Sequence, residues 1–78
     1  MDSILKLLTE IRPDSNFVES GNFIEDYLFD SFDIMELTVL LEKKYEIRID
    51  ISDIIPENYK DIPSIIAMVT RQGGKVDE

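Results

Sequence analysis

A chain of 78 residues with 17 acidic and 8 basic side chains carries a net charge of −9 and has room for a single domain. It holds neither cysteine nor histidine, which excludes disulfides, thiolate or imidazole metal sites, a cysteine nucleophile and any Ser-His-Asp triad. An acidic surface of this strength repels nucleic acid and anionic membranes and attracts basic protein surfaces, although acidity also serves the plain solubility of a small domain.

Hydrophobic residues make up 44% of the chain, an ordinary share for a folded domain. No apolar run approaches the ~20 residues of a membrane span, and the N-terminus lacks the basic start and apolar stretch of a signal peptide. A cytoplasmic monomer without membrane insertion is therefore expected.

The first predicted helix runs from Met1 to Ile11. Ile4, Leu7, Leu8 and Ile11 follow the spacing of an amphipathic helix, Asp2 or Ser3 can cap it, and Pro13 stops it. Arg12 to Phe29 is a long connection rich in turn formers, with Phe17, Val18, Phe23, Ile24, Tyr27 and Leu28 expected to pin it to a core. Asp30 to Tyr45 is the strongest helix. Asp30 is its N-cap candidate, Asp33 and Glu36 suit the positive end of the dipole, and Lys43 and Lys44 suit the negative end. Its apolar arc (Phe32, Ile34, Met35, Leu37, Val39, Leu40, Leu41) is wider than one core-facing stripe needs, so part of it is expected to remain exposed or to line a groove.

Ile47, Ile49 and Ile51 alternate with polar residues, but no second strand-like run exists to pair with them. The segment reads as an extended connection that buries its isoleucines. One helical turn follows over Ser52 to Ile55, ended by Pro56. The last helix spans Asp61 to Gln72, with Asp61 as its cap and Pro63 in the first turn. Ile62, Ile65, Ile66 and Val69 form its inner face, Met68 extends that face, and Gly73 and Gly74 end the helix. The expectation is an all-α four-helix bundle, three main helices plus a short one, over residues 1–72, with a flexible C-terminal tail at 73–78.

Chemistry concentrates in Leu28-Phe29-Asp30-Ser31-Phe32-Asp33-Ile34-Met35-Glu36-Leu37. Ser31 follows a long loop at a helix start, where a hydroxyl is exposed and the helix dipole favours a phosphodiester beside it. A serine at such a place also caps helices, and the residues alone leave both roles open. Glu25/Asp26 and Asp30/Asp33 read as solvated acidic surface. A calcium loop over residues 25–36 has Asp30 where the central glycine belongs, so no metal site is assigned. Tyr27, Tyr45 and Tyr59 read as core lids with wet hydroxyls.

The run Asp30-Ser31-Phe32, then Glu36-Leu37, then Leu41-Glu42-Lys43-Lys44-Tyr45-Glu46-Ile47, resembles the acyl carrier and peptidyl carrier protein family. Ile55-Pro56-Glu57-Asn58-Tyr59 followed by Ile62-Pro63-Ser64-Ile65 resembles the approach to that family's last helix. The resemblance spans the first helix to Val69. It implies a four-helix carrier rather than an enzyme, with 4'-phosphopantetheine transferred from coenzyme A to Ser31. Asp30 would aid docking of the phosphopantetheinyl transferase or contact its metal, and Phe32, Met35, Glu36 and Val39 would face partner enzymes. Those partners include an acyl- or aminoacyl-loading enzyme and a downstream acyltransferase or synthase of fatty-acid, polyketide, nonribosomal peptide or related biosynthesis. Phe29 stands where the family often has glycine, and Phe32 where it usually has Leu or Met; both keep a hydrophobic contact. The Tyr27-to-Phe32 run and the Pro-Glu-Asn-Tyr block look closer to free-standing aminoacyl carriers, the D-alanyl type included. The rival from another class is a helical interaction module with no prosthetic group.

Overall fold

A computed structural model describes residues 2–18 and 20–76. Among these residues all the regular secondary structure is helical: α1 (Asp2–Ile11), α2 (Ser31–Tyr45), a 3₁₀ turn at Ile51–Asp53, α3 (Pro56–Tyr59) and α4 (Ile62–Arg71). Met1 as the start of the first helix, the Asp2 side-chain cap and the last two residues of the predicted tail lie outside the described residues.

The periodic apolar residues explain why these segments are helices. On α1, Ile4 and Leu8 are fully buried, with Leu7 and Ile11 half-buried beside them. On α4, Ile62, Ile65, Met68 and Val69 are buried, while Ile66 is half-buried. On α2, Ile34, Leu37 and Leu41 point into the same core. Each such burial is worth roughly 1.5–3 kcal/mol relative to exposure, offset by the entropy of ordering the chain. The two longer caps are carboxylates: Asp30 accepts from the Asp33 N–H and Asp61 from the Ser64 N–H. Pro63 sits in the first turn of α4, where its missing N–H costs nothing.

The long loop between α1 and α2 is held by aromatics. Phe17, Phe23 and Phe29 are buried and meet at centroid distances of 5.0, 6.1 and 6.5 Å, two of the three pairs edge-on. The Asn22 side chain accepts from the Ile24 and Glu25 N–H groups, closing a turn, and the Phe23 N–H reaches the Lys60 carbonyl at 2.6 Å. Two of the expected pins do not hold: Val18 and Tyr27 are exposed. Tyr27 takes a left-handed conformation (φ 58°) as the chain reverses, so that the Leu28 N–H can return to the Phe23 carbonyl. That backbone geometry turns the phenol outward, and it is no core lid.

Three further expectations are corrected. Pro56 opens α3 instead of ending a turn, because a proline without an N–H is tolerated at the first helical position. The preceding turn is the shorter 3₁₀ segment, capped by Asp50 through the Ser52 N–H. Of the alternating isoleucines Ile49 is buried and Ile47 half-buried, but Ile51 is exposed. The path of this segment is set by polar contacts: Glu46 adopts a left-handed C-cap, and the Glu42 carboxylate accepts the Ile49 N–H at 2.9 Å.

α3 is short, yet it anchors the bundle. Tyr59 is fully buried, and its hydroxyl lies 2.6 Å from Thr38 Oγ1, which itself donates to the Ile34 carbonyl. The Tyr59 hydroxyl is therefore dry, contrary to the sequence expectation. Burial raises its pKa, the Thr38 hydrogen bond opposes this, and the charges of Glu42 and Asp53 add to the rise. Past α4, Gly73 has φ 93° and Gly74 is buried against Val69. Val76 packs half-buried on the core.

Candidate functional site

The start of α2 is built by three side chains around Ser31. Asp30 is the N-cap, extended in backbone, with Oδ1 accepting the Asp33 N–H at 3.0 Å. Asp33 Oδ2 accepts the Asp30 N–H at 3.1 Å, which completes a reciprocal capping box. Arg12, just past α1, clamps both carboxylates. Its Nε donates to Asp33 Oδ2 at 2.8 Å, and its Nη2 lies 2.7 Å from Asp33 Oδ2 and 3.2 Å from Asp30 Oδ2.

Asp33 is consequently not solvated surface. Only 4% of the residue is exposed, because α2 turns it towards the end of α1. Burial by itself would raise its pKa. The Arg12 hydrogen bond, the Asp30 N–H and the Arg12 charge outweigh that burial, so the carboxyl sits below its ordinary range. Arg12 in turn is held more firmly protonated, chiefly by its hydrogen bond to Asp33 and by that carboxylate's charge. The other acidic pair, Glu25 and Asp26, is exposed and engaged locally by Asn22 and Ser20. Among the described residues no group of three or more acidic side chains is arranged to hold a metal ion.

Ser31 is the first residue of α2, and it is exposed. Asp30, not Ser31, occupies the capping position. The Ser31 hydroxyl makes no hydrogen bond to any described residue. The helix therefore does not need this hydroxyl for its own stability. The residues that follow split by face. Ile34, Leu37, Thr38 and Leu41 go inward, and Phe32, Met35 and Val39 stay 70, 56 and 54% exposed with Glu36 beside them. The spacing i, i+3, i+7 places Phe32, Met35 and Val39 on one outer stripe. Phe29 is buried, and the first turn of α2 points Phe32 outward. Arg12 and its clamp were missed. The available signal was charge spacing, since Arg12 is the only basic residue between Lys6 and Lys43.

An all-α domain that offers an unengaged serine at the head of an apolar-faced helix has the build of a carrier. The family described as "Phosphopantetheine attachment site" matches residues 2–69, and the chain belongs to it. Members bind 4'-phosphopantetheine covalently, so this is a phosphopantetheine-carrying carrier protein in the general sense. Domains of this kind are typically not catalytic, and they imply interaction with a phosphopantetheinyl transferase and synthase-type enzymes. No significant match was found among curated proteins or among solved structures. Among the described residues no helix is long and apolar enough to cross a membrane.

Proposed function

We propose that Ser31 is the residue that takes the 4'-phosphopantetheine group and that the chain delivers an acyl or aminoacyl cargo, held as a thioester, to partner enzymes. One observation carries this reading. The Ser31 hydroxyl is exposed at the head of α2 and bonds to no described residue, while Asp30 does the capping that would otherwise account for a serine there. The environment fits the group. A phosphodiester on Ser31 meets the positive end of α2, and Arg12 offsets much of the charge of Asp30 and Asp33. When bound, the arm supplies the thiol that carries cargo.

The remaining residues have supporting parts. Asp30 keeps one carboxylate oxygen towards Arg12 and is exposed, as a docking contact for the transferase requires. Phe32, Met35 and Val39 with Glu36 form an apolar stripe with an acidic edge, suited to an enzyme surface that pairs an apolar patch with a basic rim. Loading enzymes and acyltransferases or synthases of fatty-acid, polyketide, nonribosomal peptide or related pathways are the partners this surface would serve. Incubation with coenzyme A, magnesium and a broad-specificity phosphopantetheinyl transferase tests the reading by intact mass. The native chain should gain one phosphopantetheinyl group and a folded Ser31→Ala variant none. An equal gain on the variant would refute the assignment. No gain on either chain, with a control carrier modified in the same tube, would favour an unmodified interaction module.

A further inference from the structure

We infer that Arg12 is the counter-charge for the phosphate of the arm, a positioning residue that holds the modified head of α2 in place; the inference rests on Ser31 being the attachment point. Arg12 touches the residue immediately before Ser31 and the residue two places after it. Its Nη2 spans Asp30 Oδ2 at 3.2 Å and Asp33 Oδ2 at 2.7 Å. Adding a phosphodiester at Ser31 puts a new negative charge among Asp30, Asp33 and Glu36, all three of which act electrostatically on Arg12. Along the chain no other cation lies near Ser31. Between Arg12 and Lys43 there is no basic residue, and Lys43 and Lys44 sit in the last turn of α2, at its opposite end.

The guanidinium also has capacity to spare. Its bonds use Nε and Nη2, whereas Nη1 donates to none of the described residues, and the side chain is 41% exposed. A guanidinium fork suits phosphate oxygens, and it keeps its charge at any pH the protein meets. Arg12 thus has one edge committed to the two carboxylates, while Nη1 is left without a bond to any described residue. Because Arg12 directly follows α1, the modified serine is tied through it to a second helix.

The test is the change in melting temperature on modification, measured at low salt for the wild type, Arg12→Gln and Arg12→Lys. Comparing apo with holo within each chain cancels whatever Arg12 contributes to the unmodified fold. The wild type should melt at an equal or higher temperature once modified. In Arg12→Gln modification should lower it, a difference between the two chains of about 2–5 °C for a domain this small. Arg12→Lys should restore the wild-type response in part, and the difference should shrink in roughly 0.5 M salt. An identical apo-to-holo change in wild type and Arg12→Gln would overturn the inference while leaving the attachment at Ser31 intact. A wild type that gains no group from a transferase active on another carrier would overturn both. If Arg12→Gln does not fold, the Arg12 Nε–H resonance of the wild type decides. It should shift between the apo and holo forms, and an unmoved resonance overturns the inference.

Discussion

The contact between Tyr59 and Thr38 gives the account its sharpest stability test. Tyr59 is fully buried, Thr38 nearly so, and their hydroxyls lie 2.6 Å apart at the seam between α2 and α3. Tyr59→Phe removes the phenol oxygen but leaves Thr38 bonded to the Ile34 carbonyl. The loss is one buried hydrogen bond, about 1–1.5 kcal/mol. Thr38→Val strands the phenol instead, with neither a protein partner nor water, and should cost about 1–3 kcal/mol. At 4–8 °C per kcal/mol for a small domain, roughly, both effects are visible in a thermal melt followed by circular dichroism. The double variant loses the pair without stranding anything, so its destabilisation should fall short of the sum of the singles by about 0.5–1.5 kcal/mol. Strict additivity, or a Tyr59→Phe variant as stable as the wild type, would refute the claim that this hydrogen bond anchors the short helix.

Other outcomes follow from the head of α2 and the end of α4. Asp33→Asn should destabilise the fold by about 1–3 kcal/mol at pH 7, since a charged, buried partner of Arg12 is lost. The Asp33 carboxyl ionises at lower pH folded than unfolded. Its contribution is therefore complete above the unfolded value of about 4 and is lost as the pH falls through the folded value. Urea melts from pH 7 to 3 should show the gap between wild type and Asp33→Asn closing below about pH 4; a gap that widens there has the wrong sign. Asp30→Ala removes the N-cap and should cost about 0.5–2 kcal/mol, read as a lower melting temperature. Gly74→Ala would bring a Cβ to 2.5 Å from Val69 Cγ1 and 3.1 Å from the Val69 carbonyl. It should cost about 1–3 kcal/mol by overpacking, and an unchanged melting temperature would show that the chain past α4 does not pack as described. Loading by a cognate enzyme should slow as salt rises, if the acidic edge of the stripe docks on a basic rim; a salt-independent rate would count against that rim.

The helices could be read from the sequence because their signals are local. Ile4 and Leu8, or Ile62, Ile65 and Val69, repeat at helical spacing, and Asp30 and Asp61 stand one residue before their helices. Pro56 misled because a proline both stops and starts helices, and only the tertiary contact of Tyr59 with Thr38 shows which applies here. Tyr27 was misread for a related reason. An aromatic side chain suggests burial, but its direction here depends on a backbone turn. The Arg12 clamp was out of reach by periodicity, since it joins residues 18 and 21 positions apart across two elements. Ser31 itself stood out only through its neighbours: a serine after an aspartate signals little until the cap is seen to be Asp30.

Locating the added group within the modified chain tests the central claim most directly. After modification, proteolysis and tandem mass spectrometry should place the phosphopantetheinyl group on the peptide containing Ser31, and fragmentation should confine it to that residue. A group found on Ser52, Ser64 or any other serine would contradict the account, because it would make the exposed hydroxyl at the head of α2 incidental.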